Sequence, residues 1–256
     1  MRHSRALATG AVLLTLAACT GETPEPPSTP TPTASETSSA SPPLGQDELT
    51  RALLERAHLG KAFTQTLVPD AEFHTVFDDP DGRFGCLRAV DQVDFGVPDE
   101  RTAAVTLDAK NNARTPHVVH VVGSADSEDD AAAGFQEAAV LLQACDRVRT
   151  RREGLRVDAA VRTNQHRANA AVDQQLNIRA VGTLRILRSR FPIGVWVSVV
   201  RFGDLVTIIS VLDLDKDDAA AQRELTEAAV RRLTAVDRGG PLPKVKRVEL
   251  EFRLPR

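Results

Sequence analysis

The chain has 256 residues, of which 32 are basic and 35 acidic, and a formal net charge of −3. Proteins that bind nucleic acid usually carry a strongly basic surface, so this balance argues against a nucleic-acid partner. The length allows one sizeable hydrophobic core or two small lobes. No apolar run reaches the roughly 20 residues that a membrane-spanning helix needs.

The N-terminus combines two basic residues, Arg2 and Arg5, with a short apolar run over residues 6 to 18. This order is typical of a secretory signal. The run ends in Leu16-Ala17-Ala18-Cys19, which resembles the lipobox of bacterial lipoproteins, where the cysteine is acylated and becomes the mature N-terminus. We predict a signal peptide over 1–18 and lipidation at Cys19 on the outer face of the cell membrane. The alternative is an ordinary secretory signal in which the cysteine occurs by chance.

Residues 20 to 43 are rich in Pro, Thr and Ser and almost devoid of large apolar side chains. Such a segment cannot bury enough surface to offset the entropy of ordering it. Frequent proline favours extended polyproline II, at about 3.1 Å per residue. We therefore predict that 19–45 is a lipidated, disordered stalk and that 46–256 is a folded extracytoplasmic domain.

The chain has three cysteines, Cys19, Cys86 and Cys145. If Cys19 carries lipid, an even pair remains in an oxidising compartment, which predicts a Cys86–Cys145 disulfide. A loop of about 60 residues closed in this way is worth roughly 4 kcal/mol in the chain-entropy model. The alternatives are two buried free thiols or a pair of metal ligands. The chain has no Cys-x-x-Cys spacing, which argues against zinc.

The first half of the predicted domain contains two helices and a strand pair. Residues 47–58 predict a helix capped by Asp47, and 101–109 and 117–123 predict a hairpin with Asn111 and Asn112 in its turn. Ser127 begins a second helix, with acids in its first turn. Cys145 lies on its apolar face, and Arg147 and Arg149 are expected at its C-terminal end.

The second half predicts mostly strands. The expected elements are strands at 155–162 and 176–187, a hairpin at 193–214 with a Gly203-Asp204 turn, a helix at 217–236 and a half-buried strand at 245–254. The fold class is therefore α+β, a mainly antiparallel sheet packed by two or three helices. Strand pair, acidic turn and Ala-rich helix occur twice, which suggests a β-β-α pseudo-repeat with a cleft between its halves. Alternatively, two Ala-rich helices that begin with acids are simply alike.

The order of these motifs resembles a known family. The chain resembles the actinobacterial sensor-domain lipoproteins, which are related to the extracellular domain of PknH-type Ser/Thr kinases. The motifs that carry this resemblance are the lipobox, the Thr/Pro/Ser stalk, "FQEAAVLLQAC" and "VSVVRFGDLVTIISVL". The likeness runs from about residue 47 to 236. It implies an α+β domain whose cleft binds an unidentified extracellular ligand. Family members commonly carry two disulfides, whereas this chain can form one, and it has no kinase segment.

Candidate residues for metal binding or catalysis are few. His117 and His120 have a spacing that would share a face on a helix, but on a strand they point to opposite faces. His58, His74 and His166 are isolated. Asp78, Asp79 and Asp81 do not complete a calcium-binding loop. The sequence has no nucleophile elbow, phosphate loop or dinucleotide fingerprint. We therefore predict no catalytic residue, no metal site and no cofactor.

Two other features have structural and functional interpretations. The chain has a run of basic residues that could contact anionic lipid or wall phosphate: Arg147, Arg149, Arg151, Arg152 and Arg156. The favoured interpretation is a solvated helix end followed by a loop. Trp196 lies in an apolar hairpin, which predicts a core position rather than a ligand platform.

We predict a non-enzymatic, membrane-anchored sensor or ligand-binding lipoprotein whose ligand is a small molecule of unknown identity. The alternative is an accessory or structural envelope lipoprotein that docks a protein partner, through edge pairing of its final strand. A cell-wall hydrolase with unrecognised catalytic residues is a third hypothesis. No residue of the ligand site is predicted.

Overall fold

A computed structural model describes residues 43–68, 84–111, 115–152, 154–167, 170–214 and 219–250. The signal peptide, Cys19, nearly all of the stalk, His74 and the acidic turn at 78–81 lie outside the described residues. The predictions made for them therefore stay predictions. Among the helices that the structure describes, none has the length and apolarity needed to cross a bilayer.

The centre of the domain is one eight-stranded sheet in which every neighbouring pair is antiparallel. Its spatial order is β1-β2-β3-β8-β7-β6-β5-β4. The strands are β1 Phe63–Val68, β2 Thr102–Ala109, β3 His117–Ser124, β4 Arg147–Arg152, β5 Leu155–Asn164, β6 Gln174–Ile186, β7 Ser189–Phe202 and β8 Leu205–Asp213.

Helices cover both faces of this sheet. They are α1 Gln46–Ala52, α2 Arg56–Leu59, α3 Ala89–Gln92, α4 Glu128–Gln143 and α5 Ala219–Asp237, with 3-10 turns at Gly85–Arg88 and Asp99–Arg101. The predicted α+β class is confirmed. The β-β-α order also occurs twice, as β2-β3-α4 and β7-β8-α5.

The near-continuous apolarity of β7 and β8 follows from their central place in the sheet. Successive side chains of a strand point to opposite faces, so a strand covered on both faces has no polar side. In β8, Leu205 and Ile209 join one core with α1 and α5, while Val206 and Ile208 join a second core with α3 and α4. We call these two surfaces of the sheet the α5 face and the α4 face.

Local signals in the sequence placed α4 and the β7–β8 hairpin correctly. Ser127 caps α4, because its Oγ accepts a hydrogen bond from the Asp130 backbone N–H at 3.1 Å. Gly203 has φ of 57° in the turn between β7 and β8, a conformation that glycine adopts without steric cost. The apolar faces of α4 and α5 are buried as the helical spacing predicts.

The single helix expected over 47–58 is wrong, because it is interrupted after Ala52. Gly45, rather than Asp47, precedes the first turn, and the Glu48 carboxylate accepts a hydrogen bond from the Gly45 N–H at 3.0 Å. Leu53 adopts extended backbone, and the Leu54 N–H donates to Nδ1 of His120 at 2.9 Å. A tertiary hydrogen bond therefore replaces the helical one at this point.

Two further expectations about secondary structure are wrong. Arg147 and Arg149 do not end a helix, because α4 stops at Gln143 and both arginines belong to the edge strand β4. The segment 245–250 is not a strand. Val248 and Leu250 are buried in the α5-side core, and the Val248 N–H donates to the His58 carbonyl at 2.7 Å. The described part of this segment offers no strand edge to a protein partner.

The predicted disulfide joins Cys86 to Cys145. Their Cα atoms are 5.6 Å apart, and 59 positions separate them in the chain. Cys145 is buried in the α4-side core, as predicted, but it lies just beyond the C-terminal end of α4 and not on the helix. The bond ties the 3-10 turn at Gly85–Arg88 to the end of α4.

Candidate functional site

A cleft of about 510 Å³ lies on the α5 face of the sheet, between α5 and the strands β5, β6 and β7. Helix α5 packs against β7 and β8 and leaves the β5 and β6 part of this face open. The cleft is lined by Asn164, His166, Gln175, Asn177, Ile178, Arg179, Trp196, Val197, Ala219, Gln222, Arg223 and Glu227.

Strand register places a row of polar residues on the floor of the cleft. Asn164 is paired with Asn177, and Asn177 is paired with Ser198, across β5, β6 and β7. Side chains that are directly opposite on neighbouring antiparallel strands lie within contact distance on the same face. The three residues therefore meet on the side of the sheet that faces α5.

Asn177 is the centre of a hydrogen-bond network. Its Oδ1 accepts from Gln175 Nε2 at 2.7 Å and from Ser198 Oγ at 3.0 Å. Its Nδ2 donates to Asn164 Oδ1 at 3.0 Å and to the His166 carbonyl at 2.8 Å. Because both lone pairs and both N–H bonds are used, the side chain is held in one orientation.

Helix α5 extends this network from above. Gln222 donates through Nε2 to Ser198 Oγ and to the Ile209 carbonyl, both at 3.1 Å. Thr226 Oγ1 lies 3.1 Å from Ser198 Oγ and 2.9 Å from the Gln222 carbonyl. The polar floor of the cleft is thus fixed to the helix that forms its wall.

Two buried polar atoms beside the cleft have no hydrogen-bond partner among the described residues. They are Nε1 of Trp196 and Oε1 of Gln222, whose residues are only 2% and 6% exposed. A buried polar group without a partner costs about 1–3 kcal/mol. One of the two atoms is a donor and the other an acceptor. A hydroxyl or an amide group can supply both the acceptor and the donor that these atoms lack.

Charged groups in the described lining of the cleft do not include a pair of carboxylates. Glu227 is the one carboxylate among the described residues of the lining, and its Oε2 lies 3.5 Å from Nη1 of Arg231. Arg179 and Arg223 bring positive charge to the lining. A pair of carboxylates placed for general acid and general base is therefore not assembled from these lining residues.

His117 and His120, the metal candidates from the sequence, make hydrogen bonds or ion pairs within the fold. His117 Nδ1 lies 2.5 Å from Asp108 Oδ1, and His120 is on the opposite face of β3, as expected for a strand. Nδ1 of His120 accepts from the Leu54 N–H, and Nε2 lies 2.8 Å from Thr207 Oγ1. Within the described part of the chain, no three His, Cys, Asp or Glu residues are grouped to hold a metal.

Burial controls the pKa of two histidines. Desolvation, with smaller contributions from the charges of Arg232 and His58, lowers the pKa of His120 to about 3. Desolvation also lowers the pKa of His58, whose Nδ1 accepts from the Glu55 N–H at 3.0 Å. His166 is exposed at the cleft and contributes its backbone carbonyl to Asn177.

Sequence reasoning missed most of the cleft. Trp196 is buried in the core, as predicted, but it also lines the cleft. Asn164, Asn177 and Gln222 were not identified as site residues. One signal was present: "QQLNIR" at 174–179 places polar side chains at alternate positions of a strand whose other side is apolar. The structure shows that these polar positions face the α5 side of the sheet.

The fold is similar to that of a solved extracellular domain. The extracellular domain of PknH from Mycobacterium tuberculosis superposes with a TM-score of 0.51 at 10% identity, over 77% of this chain and 98% of that domain. An uncharacterised protein from Mycobacterium smegmatis, described as an Rv0999 orthologue, gives a TM-score of 0.42 at 15% identity over 72% of this chain and 96% of the other. The predicted resemblance to the PknH extracellular domain is confirmed at the level of fold.

Two other comparisons found no relative. No family model matches this sequence. No curated protein matches it either.

Proposed function

We propose that this chain is a lipid-anchored, extracytoplasmic lipoprotein whose domain binds a small ligand in the cleft on the α5 face and acts as a sensor without catalysis. The PknH domain with this fold is extracellular, which agrees with a location outside the cytoplasm. The cysteine pair supports the same location, because disulfides persist in oxidising compartments.

The observation that carries the binding role is the pair of unpartnered atoms at Trp196 and Gln222. The rest of the polar floor is satisfied and ordered through Asn177, so the cleft is largely formed before a ligand arrives. A cleft of about 510 Å³ falls in the usual range for small-molecule sites, roughly 300–1,000 Å³. The ligand class that fits is a polar molecule with hydroxyl or amide groups and an apolar surface to lie against Trp196.

The chain has a single tryptophan, so ligand entry can be followed at one position. We expect protein purified from its own cell envelope to carry a co-purifying small molecule in native mass spectrometry. Adding that molecule back to the stripped protein should change the emission of Trp196. Gln222→Leu should weaken binding about tenfold, because the acceptor Oε1 is lost and a polar ligand group stays unpaired.

Gln143→Leu is the matched control, because it changes an exposed helical glutamine on the other side of the sheet. This variant should bind like the parent chain. Binding that is equal in both variants would place the ligand elsewhere. Co-purification of a protein, without any small molecule, would favour the docking function instead.

The lipid anchor is tested separately at Cys19. We expect Cys19→Ala to release the chain from membranes after a high-salt wash, because no acyl chain would then hold it. The measurement is the share of the protein in the membrane fraction, with Cys19→Ala compared with the parent chain. Retention of the variant in washed membranes would show that acylation at Cys19 is not the anchor.

A further inference from the structure

A row of four arginines crosses the open part of the α5 face at the end of the sheet far from the cleft. Arg151 is paired with Arg156, Arg156 with Arg185, and Arg185 with Arg190, across β4, β5, β6 and β7. All four are exposed. We call these four residues the arginine row. Since neighbouring strands are about 4.8 Å apart, the row spans about 14 Å.

This arrangement does not serve stability. Like charges directly opposite each other on neighbouring strands destabilise a sheet. Strands β4 to β7 place eight arginines and one aspartate, Asp158, on this face, among the residues that the structure describes. Nη2 of Arg147 lies 2.7 Å from Oδ1 of Asp158, so this carboxylate already has a partner. In the described parts of the chain, no arginine of the row forms a salt bridge with a carboxylate. These four strands therefore carry a formal excess of seven positive charges on their α5 face, in a chain whose net charge is −3.

The hairpin tip beside the arginine row is apolar and exposed. Leu187, Ile186 and Phe191 are 83%, 42% and 38% exposed. Strand alternation puts Ile186 and Phe191 on the α4 face and Arg185 and Arg190 on the α5 face. The tip of the β6–β7 hairpin thus has a basic side, an apolar side and a leucine at its apex.

Leu187 occupies a backbone conformation that favours glycine. Its φ is 55°, in the left-handed region that bulky side chains rarely adopt. Its N–H donates to the Gly154 carbonyl at 2.6 Å, which brings the β4–β5 and β6–β7 turns together at the same end of the sheet. An exposed leucine in this conformation contributes neither burial nor turn propensity to the fold.

We propose that this end of the sheet docks onto an anionic phospholipid bilayer. The guanidinium groups of the arginine row would bind lipid phosphates, and Leu187 with its apolar neighbours would enter the interface between headgroups and acyl chains. Basic side chains next to exposed aliphatic and aromatic ones are the combination that binds anionic membrane surfaces. A soluble polyanion would be recognised by the charges alone and would leave the apolar tip without a role. The proposal does not depend on the ligand cleft.

Vesicle sedimentation tests this proposal on the chain from residue 19 onward carrying Cys19→Ser, so that neither leader nor acyl group contributes. We expect this protein to bind vesicles that contain phosphatidylglycerol and not vesicles of phosphatidylcholine alone. Binding should be lost in about 1 M salt, where the Debye length falls to about 3 Å. Replacing the four arginines of the row by glutamine should weaken binding at least tenfold.

Two further variants separate docking from damage to the fold. Leu187→Gly relieves the backbone conformation, so the fold is retained while the apolar apex is removed; vesicle binding should fall several-fold. The matched control replaces four exposed arginines in or next to the helices by glutamine and should leave binding unchanged: Arg51, Arg56, Arg231 and Arg238.

Three results would overturn the proposal. The first is a parent chain that ignores phosphatidylglycerol, and the second is equal weakening by the row variant and the control. The third is polyphosphate binding as tight as vesicle binding together with no effect of Leu187→Gly, which would assign the arginine row to a soluble polyanion.

Discussion

His120 shows how one buried polar residue determines local structure at a distance. It belongs to β3, yet its Nδ1 accepts the N–H of Leu54 at the point where the predicted first helix breaks. Only the neutral ring with the proton on Nε2 can accept at Nδ1 and donate to Thr207 Oγ1. A proton on both nitrogens would remove the acceptor and leave a charge in the core.

We expect the free energy of unfolding to fall on acidification because of this residue. The folded pKa of His120 is about 3 and the unfolded value about 6.5, so between these values the unfolded chain binds a proton that the folded chain does not. Stability from this group is complete above pH 6.5 and declines by about 1.4 kcal/mol per pH unit below it. Urea unfolding of the parent chain and of His120→Gln, from pH 7 to pH 4, measures the difference in slope.

The His120→Gln variant should be less stable at pH 7 but should lose less stability on acidification than the parent chain. His166→Gln, at an exposed position, serves as the control and should keep the slope of the parent. His58 is also buried with a lowered pKa, so part of the slope will remain in the variant. An unaltered slope in His120→Gln would contradict the assignment.

The sequence does not predict which residues line the cleft. Asn177 and Gln222 are polar residues in a strand and a helix, and either could equally have faced solvent. Their place on the floor of the cleft depends on the register between β5, β6 and β7 and on where α5 crosses the sheet. Neither of these is specified by local spacing.

At the scale of elements, α4 packs unusually close to the segment that follows α3. A Cβ added at Gly134 would lie 2.5 Å from the Asp94 carbonyl oxygen and 2.7 Å from the Phe95 Cα. Both atoms are backbone, so they cannot move away as a flexible side chain could. Glycine in the middle of a helix costs about 1 kcal/mol relative to alanine, and here the close approach of two chain segments requires it.

Gly134→Ala should therefore destabilise the domain, although alanine is the better helix former. Overpacking typically costs about 1–3 kcal/mol and the gain in helix propensity returns about 1 kcal/mol, so we expect a net loss of up to about 2 kcal/mol. Chemical denaturation measures this change. Ala133→Gly, at the exposed neighbouring position, should cost about 1 kcal/mol through propensity alone. A Gly134→Ala chain more stable than the parent would show that the contact is looser than described.

Elements with complete local signals were predicted well, and those without them were not. Helix α4 has a cap, acids in its first turn and a clear apolar face, and the β7–β8 hairpin has a glycine turn between β-branched runs. Strand β4, "RVRTRR", has one apolar residue in six and reads as solvated chain. It is a strand because it pairs with β5 at the edge of the sheet. The alternation at 245–250 is real, but Val248 and Leu250 are buried without a strand partner.

At the largest scale, the part of the chain that the structure describes forms a single sheet with a separate core on each face. Trp196 belongs to the α5-side core, whereas Cys145 belongs to the α4-side core. Strands β7 and β8 contribute alternate residues to both cores, so neither core can lose its strands without exposing the other. We infer that the two faces unfold together, in a single cooperative transition.

Removal of the disulfide tests this coupling. The bond closes a loop of about 60 residues, so Cys86→Ala with Cys145→Ala should lower the free energy of unfolding by about 4 kcal/mol. Trp196 lies in the α5-side core, whereas the disulfide lies in the α4-side core. Because the two cores share β7 and β8, loss of the bond should shift the denaturation midpoint equally by both probes. The two probes are Trp196 fluorescence and far-ultraviolet circular dichroism. A Trp196 midpoint that stays in place while helical signal is lost earlier would mean that the α4 face unfolds independently.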